Sequence, residues 1–545
     1  MREVTAGAGL AVIIFGGCAV FGSEDSSPNG GNSPSLDAGD ESSPVQGAPD
    51  TSVQLEPLGD FSLVQGGSLK VPIKLKRGES ATGPVDVSVA GLPSGVAVAA
   101  LSIPSAASSG ELTITALPSA KQGSVSATVR ASSGPSNASV PLKFVVRGPA
   151  GSLDTTYGTA GQVSDVFGTA AASAPVEMLR LADDRIVVVG VCGSTTCAVR
   201  LAPDGNVDST FGTAGRSTFA FTGPANSAAL APDGSIVVAF GNAEPHLFRI
   251  KPDGKLDTAF GDATLGLGVL TIPARAGAVP VGGIATVAPD GSIFVAYSDT
   301  EQFGTIGNVT VTKLSAAGSM IDSFGTNGQV VAANFGTRIA GPIGLTVRAN
   351  GYLFGVVQSL STTTSQGAGI FGFQLRQDGT ADAAIGPGGK SDRYGASTKP
   401  FPGIGFVGVG VHPDGRMVTA YNVTSSALGG GVTSSSVLAI GSDAKVNTGF
   451  GTGGSAQLSG GSISDVDWAA DGRVIVVRNP HLLRLTQGGA VDTTFASGMV
   501  TAAFGAKVAT FNRAAIQKDG RIVVLGRWTD EATADSDLLV SRFWP

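Results

Sequence analysis

The chain has 545 residues, of which 42% are hydrophobic, 14% are charged and 80 are glycine. Glycine at about twice its usual share of roughly 7%, without a collagen period, favours an all-β chain of two or three folded units. The formal net charge is −7, but six acidic residues and no basic residue lie between positions 19 and 50, which leaves −1 for the rest. This balance excludes the basic surface of a nucleic-acid-binding protein.

Residues 1–18 are predicted to be a targeting segment. The apolar stretch from Ala8 to Val20 is shorter than the about 20 residues that span a bilayer, which favours an export signal. Its Phe15-Gly16-Gly17-Cys18 stretch resembles the lipobox of bacterial lipoproteins, although Leu is usual at the first position and Glu3 weakens the positive start. The resemblance implies cleavage before Cys18 and its acylation; the alternative is an ordinary cleaved signal with an incidental cysteine.

Residues 19–50 are rich in Ser, Gly, Pro and acidic residues and contain almost no core-forming side chains. This composition predicts a disordered linker that holds the folded part away from a membrane. Ala19 follows the predicted lipidated cysteine and is not the aspartate associated with inner-membrane retention. We therefore expect anchoring in the outer membrane.

Residues 51–148 show period-two alternation, as in Lys70 to Lys76, where apolar side chains take one face and lysines the other. About seven such runs predict an antiparallel β-sandwich. The turns at Gln65 to Ser68 and at Gly91 to Val96 resemble those of bacterial immunoglobulin-like domains. That resemblance implies an immunoglobulin-like β-sandwich that serves as a spacer or an adhesive module.

A seven-fold repeat with a period near 56 occupies residues 151–545. One anchor of the repeat is a Leu-Asp-Thr-Thr-Phe-Gly-like stretch, and the other is a turn, mostly Asp-Gly, followed by a β-branched run, as in Asp233-Gly234 before Ile236. Asp-Gly between apolar runs is a strong hairpin signal. The acidic or amide residues of the first anchor are Asp154, Asp208, Asp257, Asp322, Asp382, Asn447 and Asp492.

Three or four short strands in each period, without a helical pattern, predict a seven-bladed β-propeller. The repeat region starts with a surplus aspartate anchor and stops where the next one is due, so residues 153–163 are expected to close the ring as the outer strand of the last blade. The paired anchors, as in Val207 to Gly215 and Ala231 to Ala239, resemble the bacterial delta-60 repeat. The resemblance implies a propeller over residues 151–545 and supplies no established catalytic residues.

Cys192 and Cys197 flank a predicted hairpin loop, so we expect a disulfide; buried free thiols and a metal site are the alternatives. The recurring aspartates are interpreted as turn-forming residues and not as calcium ligands, since Asn replaces Asp in some copies. His246, His412 and His481 occupy unrelated repeat positions. We therefore expect no metal site, and no catalytic or cofactor motif is recognised.

Propellers usually present ligands in the central channel, on the strand before each hairpin turn. That strand is small or apolar in most copies, and its polar departures are the candidate ligand-binding residues. The alternative role for these residues is solvation of the rim or a structural ion pair. The candidates are Glu177, Arg180, Asp465, Asp467 and Arg513.

The sequence predicts a monomeric cell-envelope lipoprotein that displays a propeller for binding or structural interaction, without catalysis, cofactor or nucleic acid. Its expected partners are a membrane, through the lipid anchor, and a surface protein or polysaccharide. The alternative is a secreted or periplasmic propeller enzyme, a carbohydrate lyase or hydrolase. Carboxylates clustered about 5 to 10 Å apart in the channel would favour the enzyme.

Overall fold

The computed structural model describes residues 50, 52–168, 173–221, 223–241, 244–261, 268–275, 277–301, 307–336, 339–360, 369–391, 394–396, 404–424, 432–505, 507–532 and 536–545. The predicted signal segment with Cys18, and the linker up to residue 49, lie outside the described residues. Within these ranges the regular structure is β-strand, apart from two 3-10 helices at Pro387–Gly389 and Ala496–Gly498. The all-β prediction is confirmed. No helix in the described ranges has the length and apolar character of a membrane span.

The first nine strands form two sheets that share one hydrophobic core. One sheet has the order β1-β3-β7-β5 and the other β2-β9-β8-β4-β6. Alternation along β3 buries Val71, Ile73 and Leu75 and leaves the intervening lysines exposed. β2 runs parallel to β9, a pairing that alternation cannot reveal, whereas the other paired strands are antiparallel. The strands are β1 Val53–Leu55, β2 Asp60–Val64, β3 Ser68–Arg77, β4 Val85–Ala90, β5 Val96–Val98, β6 Leu101–Ile103, β7 Ser109–Ala116, β8 Gly123–Ser133 and β9 Ser136–Arg147.

After a short strand, β10 Gln162–Ser164, the chain forms seven four-stranded antiparallel sheets, numbered 1 to 7. Sheet 1 contains β11 Ser173–Arg180, β12 Ile186–Cys192, β13 Thr195–Leu201 and β14 Arg216–Phe219. Sheet 2 contains β15 Ala225–Leu230, β16 Ile236–Phe240, β17 His246–Ile250 and β18 Val269–Thr271. Sheet 3 contains β19 Ala278–Val287, β20 Ile293–Glu301, β21 Asn308–Leu314 and β22 Gln329–Asn334.

The remaining sheets repeat this order. Sheet 4 contains β23 Ile339–Val347, β24 Leu353–Leu360, β25 Gly369–Leu375 and β26 Gly395–Ala396, and sheet 5 contains β27 Ile404–Val411, β28 Met417–Thr424, β29 Val432–Ile440 and β30 Ser455–Leu458. Sheet 6 contains β31 Ser462–Trp468, β32 Val474–Asn479, β33 His481–Leu485 and β34 Met499–Thr501. Sheet 7 contains β35 Val508–Ile516, β36 Ile522–Thr529 and β37 Ser536–Phe543, and its fourth strand is β10.

The hydrophobic side chains of these sheets are buried between neighbouring sheets. Val188 of sheet 1, for example, lies in one cluster with Val540 of sheet 7, and Val356 of sheet 4 lies with Leu438 of sheet 5. Each of the seven interfaces, including the one between sheets 7 and 1, has its own cluster. The first strands of successive sheets are also neighbours, and β35 lies beside β11. The sheets therefore form a closed series around their first strands.

The seam of this series lies in sheet 7, where β10 pairs with β37 and Val163 lies opposite Val540. Leu153 bridges Phe543 in the same way that Val207 bridges Leu201 within sheet 1. Residues 153–164 thus occupy the place that the anchor and the outer strand take in the other sheets. β10 covers the outer edge of β37 from Leu539 to Ser541, which leaves less of that edge open to unwanted strand association.

The anchor aspartates form local turns. The Oδ1 atom of Asp208 accepts hydrogen bonds from the Thr210 N–H at 3.1 Å and the Thr210 hydroxyl at 2.6 Å, and Asp492 contacts Thr494 in the same way. The other carboxylate oxygen of Asp208 accepts from Arg200 Nε at 2.7 Å. These contacts occupy both carboxylate oxygens with protein donors, so they favour the turn-forming interpretation over calcium binding.

Sheet 3 departs from the predicted alignment of the anchors. The N–H groups of Asp208 and Ile321 donate to Arg200 and Lys313, the residues eight positions earlier, so Ile321 and not Asp322 occupies the anchor position. Asp322 was assigned to the anchor because it is the nearest acidic residue before the aromatic one. The spacing between the acidic residue and the following aromatic residue is one residue shorter for Asp322 than for Asp208. This difference shows that Asp322 is not the anchor of sheet 3.

Candidate functional site

One cavity of about 440 Å³ is lined by residues from the first strands of all seven sheets. Small and apolar residues such as Ala228, Ile284 and Val409 line one part of it, and charged residues from sheets 1, 6 and 7 line another. This volume lies within the range of small-molecule sites, about 300–1,000 Å³. The cavity lies among the first strands of the sheets, where the sequence analysis places the candidate residues.

A β-bulge in each first strand determines which of its side chains faces this cavity. Each of the seven strands has a register shift in its pairing with the second strand, at the same place in six of them and one residue pair nearer the hairpin turn in sheet 5. A bulge adds an unpaired residue and re-aims the next side chain. All seven residues that follow the shift line the cavity: Glu177, Ser227, Ile284, Gly344, Val409, Asp465 and Arg513.

The three charged members of this set lie on neighbouring strands, β31, β35 and β11. Arg513, on the middle strand, approaches Glu177 with 4.0 Å between its Nε atom and the carboxylate. Its Nη1 atom donates to the Ser464 carbonyl at 3.0 Å and its Nε atom to the Val176 carbonyl at 3.3 Å. The guanidinium is thus held to both neighbouring strands.

Asp465 has a structural contact as well as a place in the cavity. Its Oδ2 atom accepts a hydrogen bond from the Ala514 N–H at 2.8 Å, on the first strand of the next sheet. Ser227 occupies the equivalent position in sheet 2, and its hydroxyl accepts from the Ala285 N–H of sheet 3 at 2.9 Å. The carboxylate therefore joins two sheets and also lines the cavity.

The pKa values of the Glu177, Asp465 and Asp467 carboxyl groups are all raised. Burial raises the pKa of Glu177 to about 7; the charge of Arg513 opposes that rise and the charge of Asp465 adds to it. Burial raises the pKa of Asp465 to about 6 against the charge of Arg513. Burial and then the charge of Asp465 raise the pKa of Asp467 to about 7. About one-third of the Glu177 side chain is accessible, and it lines the cavity.

The five predicted site residues do not all lie together. Glu177, Asp465 and Arg513 line the cavity. Asp467 lies two residues beyond Asp465 on the same strand, and its Oδ1 atom accepts from the Trp468 N–H at 2.8 Å. Arg180 is exposed and forms an ion pair with Asp184 at 3.0 Å, which matches the structural alternative for this residue.

Sequence reasoning missed the polar residues of sheet 2 that also line the cavity, Asn226 and Ser227. The Asn226 side-chain amide donates to the Gly241 carbonyl at 2.6 Å, so it is partly used by its own sheet. The signal for Ser227 was present, because it aligns with Glu177 when the copies are counted back from their hairpin turns. A serine among alanines did not stand out in the way a charge does.

The histidines are not assembled into a site. His246 contacts the Thr271 hydroxyl at 3.0 Å, His481 contacts the Thr501 hydroxyl at 3.2 Å, and His412 pairs with Asp414 at 2.8 Å. Among the described residues no group of three or more His, Cys, Asp or Glu side chains could hold a metal ion.

Cys192 and Cys197 are joined by a disulfide. The bond links the end of β12 to β13 across their hairpin loop, where Cys192 pairs with Thr195 and Gly190 with Cys197. A disulfide is typical of proteins that fold in an oxidising compartment.

Comparison with known proteins gives a family match for part of the chain. The family described as "Domain of unknown function (DUF5122) beta-propeller" matches residues 181–211 and 231–260, within sheets 1 and 2. No curated protein matches the chain.

Solved structures with a similar fold come from several enzymes. A gluconolactonase from Xanthomonas campestris has 13% identity and a TM-score of 0.33, covering 73% of this chain and 94% of that chain. An α-L-arabinanase from Penicillium chrysogenum has 11% identity and a TM-score of 0.36, with coverages of 57% and 91%. A quinoprotein alcohol dehydrogenase-like protein from Bacteroides thetaiotaomicron has 9% identity and a TM-score of 0.32, with coverages of 89% and 91%.

At these identities and TM-scores the neighbours carry no argument about activity. The family match concerns the fold, and the closed series of sheets is the arrangement that a propeller requires. The chain therefore contains a β-propeller.

Proposed function

We propose that this protein is a cell-envelope lipoprotein that displays a seven-bladed propeller. It binds a ligand, without catalysis, in the part of the propeller channel lined by Glu177, Asp465 and Arg513. In this proposal sheets 1 to 7 are the blades, and the two-sheet domain of residues 53–147 is an immunoglobulin-like module next to the linker. The anchor is Cys18 and the location is the outer membrane.

The binding proposal rests on one observation, that the seven sheets place different kinds of residue in the cavity. Four of the seven residues that follow the bulges, Ser227, Ile284, Gly344 and Val409, carry no charge, whereas the other three, on neighbouring strands, are charged. Packing of a repeat does not require such charges, because the other four copies pack without them. Carboxylates and a guanidinium side by side provide acceptors and donors for a hydroxyl-rich ligand such as the end or a short segment of a polysaccharide.

The location rests on the sequence of residues 1–50 and on the disulfide. An export signal, a lipobox-like cysteine and an acidic tether together favour an anchored surface protein. The Cys192–Cys197 disulfide supports an oxidising compartment outside the cytoplasm.

A second candidate is a propeller hydrolase or lyase that acts on carbohydrate. The observation that favours it is the pKa of Glu177 at about 7 beside that of Asp465 at about 6. Carboxyl groups with pKa values raised toward neutrality are suited to general acid catalysis, and a lower-pKa neighbour can act as base. Glu177 would be the proton donor in this scheme and Asp465 the base.

The location is tested by protease shaving of intact cells that express either the wild type or Cys18→Ala, with membrane and soluble fractions probed by immunoblotting. We expect the wild type to be membrane-bound and shaved, and the variant to be soluble. If both are soluble, the anchor is wrong and the secreted enzyme becomes the better proposal.

Binding is tested with purified full-length protein on a panel of soluble polysaccharides and oligosaccharides. The wild type is compared with Glu177→Gln and with Glu111→Gln, which alters an exposed carboxylate of the first domain. We expect retention of at least one polysaccharide by the wild type and the control but not by Glu177→Gln, with no change in product mass. Shortened oligosaccharides in the wild type alone would replace the binding proposal by the enzyme.

A further inference from the structure

The two-sheet domain contacts the propeller at the seam of the ring. Residues 51–545 form one compact unit, and Gln122, which precedes β8, is buried at the contact with 8% of its surface exposed. Its Oε1 atom accepts hydrogen bonds from the Thr155 N–H at 2.9 Å and the Trp544 indole N–H at 3.0 Å. Its Nε2 atom donates to the Leu153 carbonyl at 3.3 Å and to Gln65 Oε1 at 3.1 Å.

These contacts join two segments that are far apart along the chain. Leu153 and Thr155 precede β10, and Trp544 follows β37. The loop that carries Gln122 is itself fixed, because the Gln65 side-chain amide donates to the Ala120 carbonyl at 2.5 Å. The Gln122 side-chain amide offers two donor and two acceptor positions. These four hydrogen bonds use them, so the amide is held in one orientation.

Sheet 7 differs from the other six sheets in how its last two strands are connected. In sheet 1 the chain runs without a break from β13 through Leu201 and Val207 to β14. In sheet 7 the equivalent bridge joins Phe543 to Leu153, which are separated by almost the whole repeat region. In the other sheets a continuous stretch of chain connects the last two strands. In sheet 7 this connection is replaced by non-covalent contacts between two chain segments.

We infer that the two-sheet domain holds the propeller closed, with Gln122 as the side chain that links the two segments of the seam. The domain is then a structural component of the ring and not only a spacer. This inference is independent of the proposed ligand and of the membrane anchor.

The test is amide hydrogen exchange, by mass spectrometry, of the full-length protein. The readout is the exchange rate of peptides from β10 and β37, compared with peptides from β24 and β25 on the far side of the ring. Gln122→Ala removes all four contacts. Trp544→Phe removes a single N–H donor and keeps a ring on Arg521, whose guanidinium lies 4.9 Å from the ring centre. Trp528→Phe is the matched control, because the buried indole nitrogen of Trp528 has no hydrogen-bond partner.

We expect exchange in β10 and β37 to be faster by about tenfold or more in Gln122→Ala, and by a smaller factor in Trp544→Phe. Exchange in β24 and β25 should stay within about twofold, and Trp528→Phe should not accelerate β10. Two results would overturn the inference: unchanged β10 and β37 exchange in both Gln122→Ala and Trp544→Phe, or equal acceleration in all sheets. If Gln122→Ala fails to fold, the comparison of Trp544→Phe with Trp528→Phe decides alone.

Discussion

At the scale of single residues, the anchor aspartate of sheets 1, 2 and 6 pairs with an arginine eight positions before it. Arg484 Nε donates to Asp492 at 2.9 Å, and Arg249 forms the same pair with Asp257. Where Ala439 replaces the arginine, the anchor is Asn447, whose Oδ1 atom still accepts a turn hydrogen bond from the Gly449 N–H at 3.2 Å. Sheet 5 thus lacks both charges of the pair, whereas in sheet 4 Asp382 accepts a hydrogen bond from the uncharged Gln374 and in sheet 3 Ile321 lies at the anchor. The aspartate is needed for a buried ion pair, and the turn alone needs only a side-chain oxygen.

Arg484→Ala should destabilise the protein strongly, because it leaves the buried Asp492 carboxylate without its nearest cation. Both side chains are at most 7% exposed, so we expect a loss of about 3 kcal/mol in the free energy of unfolding, measured by urea denaturation. Arg473→Ala, which removes a 41% exposed partner of the same aspartate, should cost less than about 1 kcal/mol. The double variant Arg484→Ala/Asp492→Asn, which copies the Ala439–Asn447 pair, should recover about 1 kcal/mol or more. No recovery in the double variant would contradict this account.

The channel carboxyl groups should make stability depend on pH. The pKa of Glu177 rises from 4.5 to about 7 on folding, so the folded state binds more protons than the unfolded state between these values. Stability should therefore fall as the pH rises from about 4.5 through about 7. We expect a lower Tm at pH 8 than at pH 5 for the wild type, and a smaller difference with a higher Tm at pH 8 for Glu177→Gln. Glu111→Gln is the control, and the same pH dependence in all three proteins would refute the assignment to Glu177.

At the scale of secondary-structure elements, the hairpins and the repeat could be predicted but the bulges could not. Asp-Gly turns and β-branched runs specify local geometry, so they are visible in the sequence. A bulge depends on pairing between two strands, and strict alternation gives no sign of it. In sheets 6 and 7 the residues that follow the bulge, Asp465 and Arg513, line the cavity. Their charges are visible in the sequence, and the bulges explain why their side chains reach the cavity.

The seam strand β10 should be more sensitive to substitution than the equivalent strand of another sheet. Val163 and Val330 occupy matching positions, in β10 and β22, and each is partly buried against an inter-sheet cluster. Both Val163→Asp and Val330→Asp place a charge at that position. β22 stays tethered to β21 by a short connection, whereas β10 can leave sheet 7, so Val163→Asp should cost about 1 kcal/mol more in unfolding free energy. Equal losses in urea denaturation would show that the seam is no weaker than a continuous sheet.

At the scale of the whole molecule, each of the seven inter-sheet hydrophobic clusters contains residues of two sheets. A sheet that unfolds alone would expose two interfaces, so the ring should unfold as one unit. Hydrogen exchange at increasing urea should therefore show peptides from β24 and β36 becoming unprotected at the same urea concentration. A lower midpoint for β36 than for β24 would indicate that the seam region opens separately.

The sequence predicted the all-β class and the propeller, since the repeat depends on local signals that recur. It could not reveal the parallel pairing of β2 with β9 or the contact of Gln122 with Trp544, because these join residues that no periodic pattern relates. The repeat pattern also does not identify the ligand of the channel. A repeat describes the residues that the copies share, whereas the candidate site consists of residues in which they differ.

The seam also makes closure of the ring depend on the order of synthesis. β10 leaves the ribosome before the strands of sheets 1 to 6, but its partner β37 is made after all of them. A chain whose translation stops before β37 keeps sheet 7 incomplete, with β10 unpaired and an open interface on sheet 1. Such a product would present exposed strand edges and apolar surface to chaperones and proteases. Only a chain translated through β37 can hide these edges, so the position of the seam makes a chain that stops earlier distinguishable by its exposed surface.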